Sequence, residues 1–400
     1  MINQAVIFCG GLGTRLQNIT KNIPKPMVDV CGKPFLEHLI IQLKKNGIKE
    51  IILLVGYKSE VIKNYFADGK KLKVKIRYSF LPADKQTGTR LYNIKKKLNS
   101  KFLLLYSDNY SSFNIHKIVT ELDRSKKKMI ISLSKKNNGN VSLDKNMTVS
   151  YKLKRSKKNK FVEIGYMILK KEILKYLKKK DLNFADFISK ISKKKMVAGH
   201  IKENKYVSIS DPKRLDLTRK LFNNNKYILI DRDGVLNHKN KKERYITNIE
   251  NLRINKFQCN KLPKNANLIC ITNQAGLSTK DLSLQSLKKI NIEIHKYLKK
   301  INLKLDKFYI SHHHFNSQSY FRKPNPGYFF KASNDYNFIL DKTFYIGDDK
   351  RDIEAAYNAN MFIIYVGKDK LTTTEKKKYK YIILNNSIKK IFYEKTKFIF

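Results

Sequence analysis

The chain has 400 residues, with 84 Lys+Arg against 33 Asp+Glu and a formal net charge of +51. Its 42% hydrophobic share excludes global disorder, and its length favours two domains over one. The charge excludes an acidic, self-solvating chain, but 72 of the basic residues are Lys and only 12 Arg, Trp is absent, and Gly and Pro number 16 and 8; this is the imprint of AT-rich codons, not of Arg-based base readout, so no nucleic-acid partner is expected.

In chain order, the first apolar strand is Ala5-Val6-Ile7-Phe8, and it runs into the polar loop Cys9-Gly10-Gly11-Leu12-Gly13-Thr14-Arg15. Phe35 to Lys45 reads as a helix, Ile51 to Val55 as a buried parallel strand, and Val61 to Phe66 as a short helix. Lys101 to Tyr106 is a further strand, ending at Ser107-Asp108-Asn109. The stretch RKLFNNNK at 219–226 reads as a linker, which gives domains at 1–222 and 226–400.

The second half opens the same way. Strand Tyr227–Ile230 leads into Asp231-Arg232-Asp233-Gly234. Strand Leu268–Ile271 ends at Thr272-Asn273-Gln274, Leu284 to Leu298 has helical periodicity, and Phe344–Ile346 ends at Gly347-Asp348-Asp349. Alternating β and α units predict an α/β protein of two doubly wound, Rossmann-like parallel sheets, whose ligands sit at the C-terminal strand ends. The chemistry-bearing loops all fall at such ends. The Lys runs 126–128, 178–180, 193–195 and 376–378 read as solvated surface.

Cys9, Cys31, Cys259 and Cys270 show no CxxC spacing, so neither a zinc ribbon nor a redox pair is expected. No apolar run approaches the roughly 20 residues of a membrane span, and the N-terminal residues lack signal-peptide character. The expectation is a cytoplasmic protein with no membrane partner; nothing in the sequence fixes its oligomeric state.

In the second half, two carboxylates two residues apart at a buried strand end suit phosphoryl transfer. One attacks phosphorus and the other handles the leaving-group proton. Such a site needs cations: Mg²⁺ on hard oxygen ligands with Asp348 as a third carboxylate, Lys323 against the phosphate oxygens, and a hydroxyl such as that of Thr272. In the first half, glycines after a strand let backbone N–H groups approach phosphate, Arg15 adds charge, and Pro24-Lys25-Pro26 presents a Lys from a rigid turn. The pattern is neither GxGxxG nor a Walker A loop; it suits a nucleoside triphosphate attacked at its α-phosphate by a sugar phosphate.

Asp231, Asp233, Thr272, Lys323 and Asp348 occur in the order of the four motifs of the haloacid dehalogenase (HAD) phosphatase superfamily, which residues 226–370 resemble. The strings IDRDGVLN, ITNQAGL and FRKPNPG look like its D,D-heptose 1,7-bisphosphate phosphatase and histidinol-phosphatase subgroup. The resemblance implies Asp231 as nucleophile, Asp233 as general acid/base, and Thr272 and Lys323 as phosphate ligands. It also implies Mg²⁺ on Asp231, Asp348 and the Asp233 carbonyl, with Asn273 and Arg322 at the substrate. The subgroup's zinc loop is replaced by Ser311-His312-His313-His314 and Ser319-Tyr320-Phe321; without its thiolates no structural zinc is expected, and substrate choice stays open.

Residues 3–220 resemble the sugar-1-phosphate nucleotidyltransferases through GGLGTRL…PKPM, Leu53-Leu54-Val55-Gly56-Tyr57 and Gly165-Tyr166. The resemblance implies Gly10, Gly11, Gly13, Arg15 and Lys25 at the triphosphate and Asp108 on Mg²⁺. Gly88, within Thr87-Gly88-Thr89-Arg90-Leu91, would sit at the base and sugar. Ser208 stands where a second metal-binding Asp is usual, with Asp211 nearby. The two resemblances together imply a route to a nucleotide-activated heptose, with small phosphorylated sugars and an NTP as partners. The alternative is a phosphatase for histidinol phosphate or another sugar phosphate, joined to a catalytically weak or silent sugar-nucleotide-binding half.

Overall fold

The computed structural model describes residues 2–178, 183–224, 226–240, 246–264, 266–379 and 382–384. Lys179, Lys180 and Asn225, named above in the Lys and linker runs, lie outside the described residues, as does 385–400 of the second expected domain. The chain divides into two compact units, Met1–Lys220 and Leu221–Phe400. That division falls inside the helix Pro212–Asn223, because Leu215, Leu221 and Phe222 are buried and hold the stretch helical until the Asn run.

In the first unit the expected parallel sheet is present as the order Lys101–Tyr106, Gln4–Cys9, Glu50–Val55, Lys75–Phe80. Its strands are continuous apolar runs because both faces are covered. Val6, Phe8, Ile52, Leu54, Phe102 and Leu104 enter one core with Leu91 and Phe184, and the alternate residues Ala5, Ile7, Leu53, Leu103 and Leu105 are buried as well. The sheet then extends beyond the parallel core. Phe161–Lys170 pairs antiparallel with Lys101–Tyr106, and strands 129–135, 139–143, 149–156 and 197–202 complete nine strands among the described residues. The purely parallel expectation thus holds only for the central part of this sheet. Strand Val149–Ser156 reads as polar because most of its side chains face water.

The second unit has a six-stranded sheet in the order Lys304–Ser311, Asn267–Asn273, Tyr227–Ile230, Phe344–Gly347, Phe362–Tyr365, Ile382–Leu384. Every pairing is parallel. Residues alternate between two cores. Ile228, Ile230, Leu268 and Cys270 pack with Leu287, Ile290, Ile294 and Leu298 of helix Leu284–Lys300. Leu229, Ile269, Ile271 and Tyr345 pack with Phe329 and Ala332 of helix Gly327–Tyr336 and with Ile353, Ala355 and Ala356 of helix Lys350–Ala359. Two faces, each covered by helices, make this the expected doubly wound sheet. Among the described residues no helix is long and apolar enough to cross a membrane.

Candidate active sites

The first site lies where strands Gln4–Cys9 and Lys101–Tyr106 end side by side. It is a cavity of about 360 Å³ lined by Gly10, Gly11, Gly13, Thr14, Arg15, Lys25, Arg90 and Asp108, with the wall 83–87 opposite. Gly13 takes φ +70° and starts a 3₁₀ turn, Thr14–Thr20; a Cβ there would lie 2.9 Å from Cβ of Lys25. A left-handed residue is needed at this point, and the neighbouring Lys leaves no room for a side chain. Pro24 and Pro26 are buried and fix the turn that carries Lys25. Its ammonium lies 2.5 Å from Oδ2 of Asp108.

The far wall depends on Arg90, which is buried. Its guanidinium donates to the carbonyls of Val55 (2.8 Å), Leu81 (2.8 Å), Lys85 (3.1 Å) and Gly10 (3.4 Å), and to that of Pro82. One side chain therefore ties the glycine loop to the 81–85 segment across the cavity. In the sequence Arg90 stands out only as part of the string Thr87-Gly88-Thr89-Arg90-Leu91. Its neighbours in the helix Thr87–Asn93, mostly small or polar, do not mark it as a tie between loops. Gly88 is buried in the first turn of helix Thr87–Asn93, behind Thr87, and does not line the cavity.

Ser208 is buried and pairs with Asn109, next to Asp108, while the Asp211 carboxylate is bonded to Arg214 and Ser210. Glu163 is a further carboxyl that sequence reasoning missed. Burial pushes it up to about 8 despite a bond from the Gly165 N–H, and the Asp108 charge adds to the rise. Nothing in its strand Phe161–Lys170 marks it out except a charge between apolar neighbours. Asp108 offers one hard carboxylate facing the cavity, which suits Mg²⁺ when triphosphate oxygens complete the shell.

The second site sits at the C-terminal ends of strands Tyr227–Ile230, Asn267–Asn273 and Phe344–Gly347. A cavity of about 240 Å³ is lined by Asp231, Asp233, Lys239, Asn240, Thr272, Asn273, Arg322, Lys323, Asp349, Arg351 and Asp352. Lys323 is its hub. This buried ammonium lies 2.9 Å from Asp231 Oδ1 and 2.8 Å from Asp352 Oδ1, and donates to the Tyr345 hydroxyl (2.8 Å) and the Ile271 carbonyl (3.0 Å). The Asn273 amide grips the Lys323 backbone at both N–H and C=O, at 3.1 and 3.0 Å. Asn273 thus positions Lys323 as well as facing the cavity. The Thr272 hydroxyl accepts from Gln274 at 2.9 Å, and Arg322 donates to the His313 carbonyl at 3.1 Å.

Asp231, Asp348 and Asp352 each place a carboxylate oxygen within 4.8 Å of the others. Oδ1 of Asp348 is buried without a hydrogen-bond partner. A buried orphan oxygen beside two more carboxylates fits a small, hard divalent cation. Gly234 has φ +90°, and a Cβ on it would fall 2.0 Å from Asp348 Oδ2, so only glycine lets the loop close over the cluster. Asp352 was missed from sequence, although GDDKRD carries it one helical turn beyond Asp348.

The carboxyls are tuned apart. Burial, with Asp352 beside it, pushes Asp231 up to about 8 against the pull of Lys323. Burial also works against an ionised Asp233, but Arg232, Asn237 and Gln274 outweigh it and hold that carboxyl below its ordinary value. Arg232 is fully buried and donates to both Asp233 oxygens at 3.0 Å, and Gln274 adds a 2.7 Å bond. The Asp233 side chain stands outside the three-carboxylate cluster. Farther out, His312 and His313 stack at 4.6 Å, and His314 Nδ1 accepts from the Asn316 N–H at 3.2 Å.

Residues 4–208 match the nucleotidyl transferase family and residues 320–386 a HAD-hydrolase-like family. The chain is 35% identical, over 55% of its own length and the whole of the relative, to a D-glycero-alpha-D-manno-heptose 1-phosphate guanylyltransferase of Campylobacter jejuni. It is 29% identical, over 44% of its length and 78% of the relative, to a probable glucose-1-phosphate cytidylyltransferase of Bacillus subtilis. Among solved structures, HddC from Yersinia pseudotuberculosis aligns with a TM-score of 0.48 at 26% identity, over 55% of this chain and all of that one. The glycine loop, its Lys25–Asp108 pair and the family match covering half the chain lead to one conclusion: this chain belongs to the nucleotidyl transferase family and carries a HAD-like hydrolase domain on its C-terminal side.

Proposed function

We propose that the chain is a bifunctional enzyme of nucleotide-activated heptose synthesis. In the second unit, an oxygen of Asp231 attacks the 7-phosphorus of D-glycero-D-manno-heptose 1,7-bisphosphate. The P–O bond to the sugar breaks, the sugar oxygen takes a proton from Asp233, and water then hydrolyses the aspartyl phosphate while Asp233 takes its proton back. Protonating Asp233 requires its Arg232 pairing to loosen. Lys323 and Thr272 face the phosphoryl oxygens. Asp231, Asp348 and Asp352, with the Asp233 carbonyl, would hold Mg²⁺, which draws charge off the phosphoryl group when bound.

In the first unit, the 1-phosphate oxygen of the heptose 1-phosphate attacks the α-phosphorus of an NTP, and the α–β bond breaks to release pyrophosphate. Gly10, Gly11 and Gly13 present backbone N–H groups to the triphosphate, Arg15 and Lys25 neutralise it, and Asp108 would hold Mg²⁺ against it. Gly88 would shape the base and sugar end from behind Thr87. The guanylyl specificity of the Campylobacter relative makes GTP the proposed donor.

The observation that carries the reading is Lys25 Nζ at 2.5 Å from Asp108, within the glycine-loop cavity of a chain aligned along the whole length of a heptose 1-phosphate guanylyltransferase. The test offers heptose 1-phosphate with each of the four NTPs, and heptose 1,7-bisphosphate against histidinol phosphate, with Mg²⁺ present. Pyrophosphate is expected with GTP and phosphate from the bisphosphate. Phosphate from histidinol phosphate with no pyrophosphate from any NTP would favour the alternative reading.

A further inference from the structure

Gln274 is fully buried and does not line the second cavity, yet it touches two residues that do, Thr272 and Asp233. Its backbone N–H donates to the Ser311 carbonyl at 2.7 Å, which carries the sheet pairing one residue past strand Asn267–Asn273. Side chains two apart on a strand share a face. Thr272 and Gln274 therefore point the same way, while Asn273 between them turns to the Lys323 backbone.

Chemistry fixes which way the Gln274 amide faces. A guanidinium has only donors, and Nη2 of Arg232 lies 3.1 Å from Oε1 of Gln274. Nε2 then faces the other side, where it donates to Asp233 Oδ2 at 2.7 Å and to Thr272 Oγ1 at 2.9 Å. A hydroxyl carries one hydrogen, and Thr272 uses its oxygen to accept. Among the described residues nothing accepts the Thr272 hydrogen in turn, and Thr272 lines the cavity. Asp233 meets donors from Gln274, from Arg232 at both oxygens and from Asn237 at 2.9 Å. One amide thus leaves the Thr272 hydroxyl free to donate and pins the Asp233 carboxylate as an acceptor.

We propose that Gln274 is a positioning residue that sets the direction of hydrogen bonding in the phosphatase site. It presents the Thr272 O–H to the phosphoryl oxygens and holds the Asp233 carboxyl in place for proton transfer. This rests on the phosphatase reading and adds to it a buried residue that links the phosphate-binding hydroxyl to the acid/base carboxyl.

The test measures inhibition by inorganic phosphate, against p-nitrophenyl phosphate with Mg²⁺ present, in wild type, Gln274→Met, Thr272→Val and the double variant. Thr272→Val should raise Ki about tenfold and Gln274→Met about fivefold. The double variant should match Thr272→Val alone, because Gln274 acts on phosphate through the Thr272 hydroxyl. The ratio of kcat/KM for heptose 1,7-bisphosphate to that for p-nitrophenyl phosphate should also fall about tenfold in Gln274→Met, since p-nitrophenolate leaves without the proton that Asp233 supplies. Gln274→Glu keeps the volume and the bond from Arg232 but replaces the donating amide with a carboxylate oxygen. It should raise Ki at least as much as Gln274→Met, and it takes the place of the methionine variant if that one does not fold. An unchanged Ki, effects of Thr272→Val and Gln274→Met that multiply, or an equal loss on both substrates overturns the proposal and leaves the phosphatase reading standing. If wild type releases no phosphate from either substrate, the reading and the proposal fall together.

Discussion

Lys323 and Asp231 meet at 2.9 Å in a buried pocket where Asp352 holds the same ammonium from the other side. Two carboxylates share one lysine, with the hydroxyl of Tyr345 bridging Lys323 and Asp352. The arrangement is stable only while some negative charge is absent or balanced, and this has consequences for pH.

Burial pushes the Asp231 carboxyl up from its ordinary value of 3.8 to about 8. A carboxyl raised on folding stabilises the protein fully below its unfolded pKa, and that contribution is lost as pH rises through the folded one. In chelator-treated protein the melting temperature should therefore fall between about pH 4 and pH 8 through this group. Asp231→Asn should remove that part of the slope while abolishing phosphate release. An identical slope in wild type and variant would contradict the assignment.

Lys25→Ala leaves Asp108 without its 2.5 Å partner and removes a cation from the glycine-loop cavity. Pyrophosphate release should drop by about two orders of magnitude or more, with phosphate release from the second unit unchanged. Parallel assays of both products on one preparation check this, and a loss of both activities would point to misfolding.

Gly234→Ala puts a Cβ at 2.0 Å from Asp348 Oδ2 on a residue with φ +90°. Asp348 must move out of the three-carboxylate cluster. Mg²⁺ affinity by calorimetry should weaken at least about tenfold, and phosphate release should fall with it. Wild-type affinity in the variant would show that Asp348 is not a ligand.

Arg90→Met keeps much of the buried volume but strips donors from the carbonyls of Gly10, Val55, Leu81, Pro82 and Lys85. The cost should be at least about 2 kcal/mol in urea unfolding. KM for the NTP should rise more than KM for the sugar phosphate, because Gly10 and the 83–87 wall lose their tie. Equal shifts in the two KM values would make Arg90 a general fold residue only.

Much of this was legible in the sequence because strand ends in α/β folds carry their chemistry as short strings. Strands Lys101–Tyr106 and Tyr227–Ile230 and helix Phe35–Lys45 have the bounds that periodicity predicts. The loops after Cys9 and Ile230 line cavities with several of the acids and cations that their motifs name, whereas Gly88 and Asp348 are not among the lining residues. What stayed hidden has physical reasons. Lys239 is one lysine among 72, so composition gives it no contrast. Asp352 is known by the company it keeps in space, since its carboxylate caps the turn after Asp348 as well as pairing with Lys323. Strand Val149–Ser156, at the edge of the antiparallel extension, carries too many exposed residues to read as part of a core sheet.

The most direct test of two linked activities in one chain follows both products from a single substrate. Wild-type protein with heptose 1,7-bisphosphate, GTP and Mg²⁺ should release phosphate first and pyrophosphate after it. Asp231→Asn should release neither from the bisphosphate, yet still yield pyrophosphate when given heptose 1-phosphate. Pyrophosphate formed from the bisphosphate by Asp231→Asn at the wild-type rate, or no phosphate from wild type, would contradict the account.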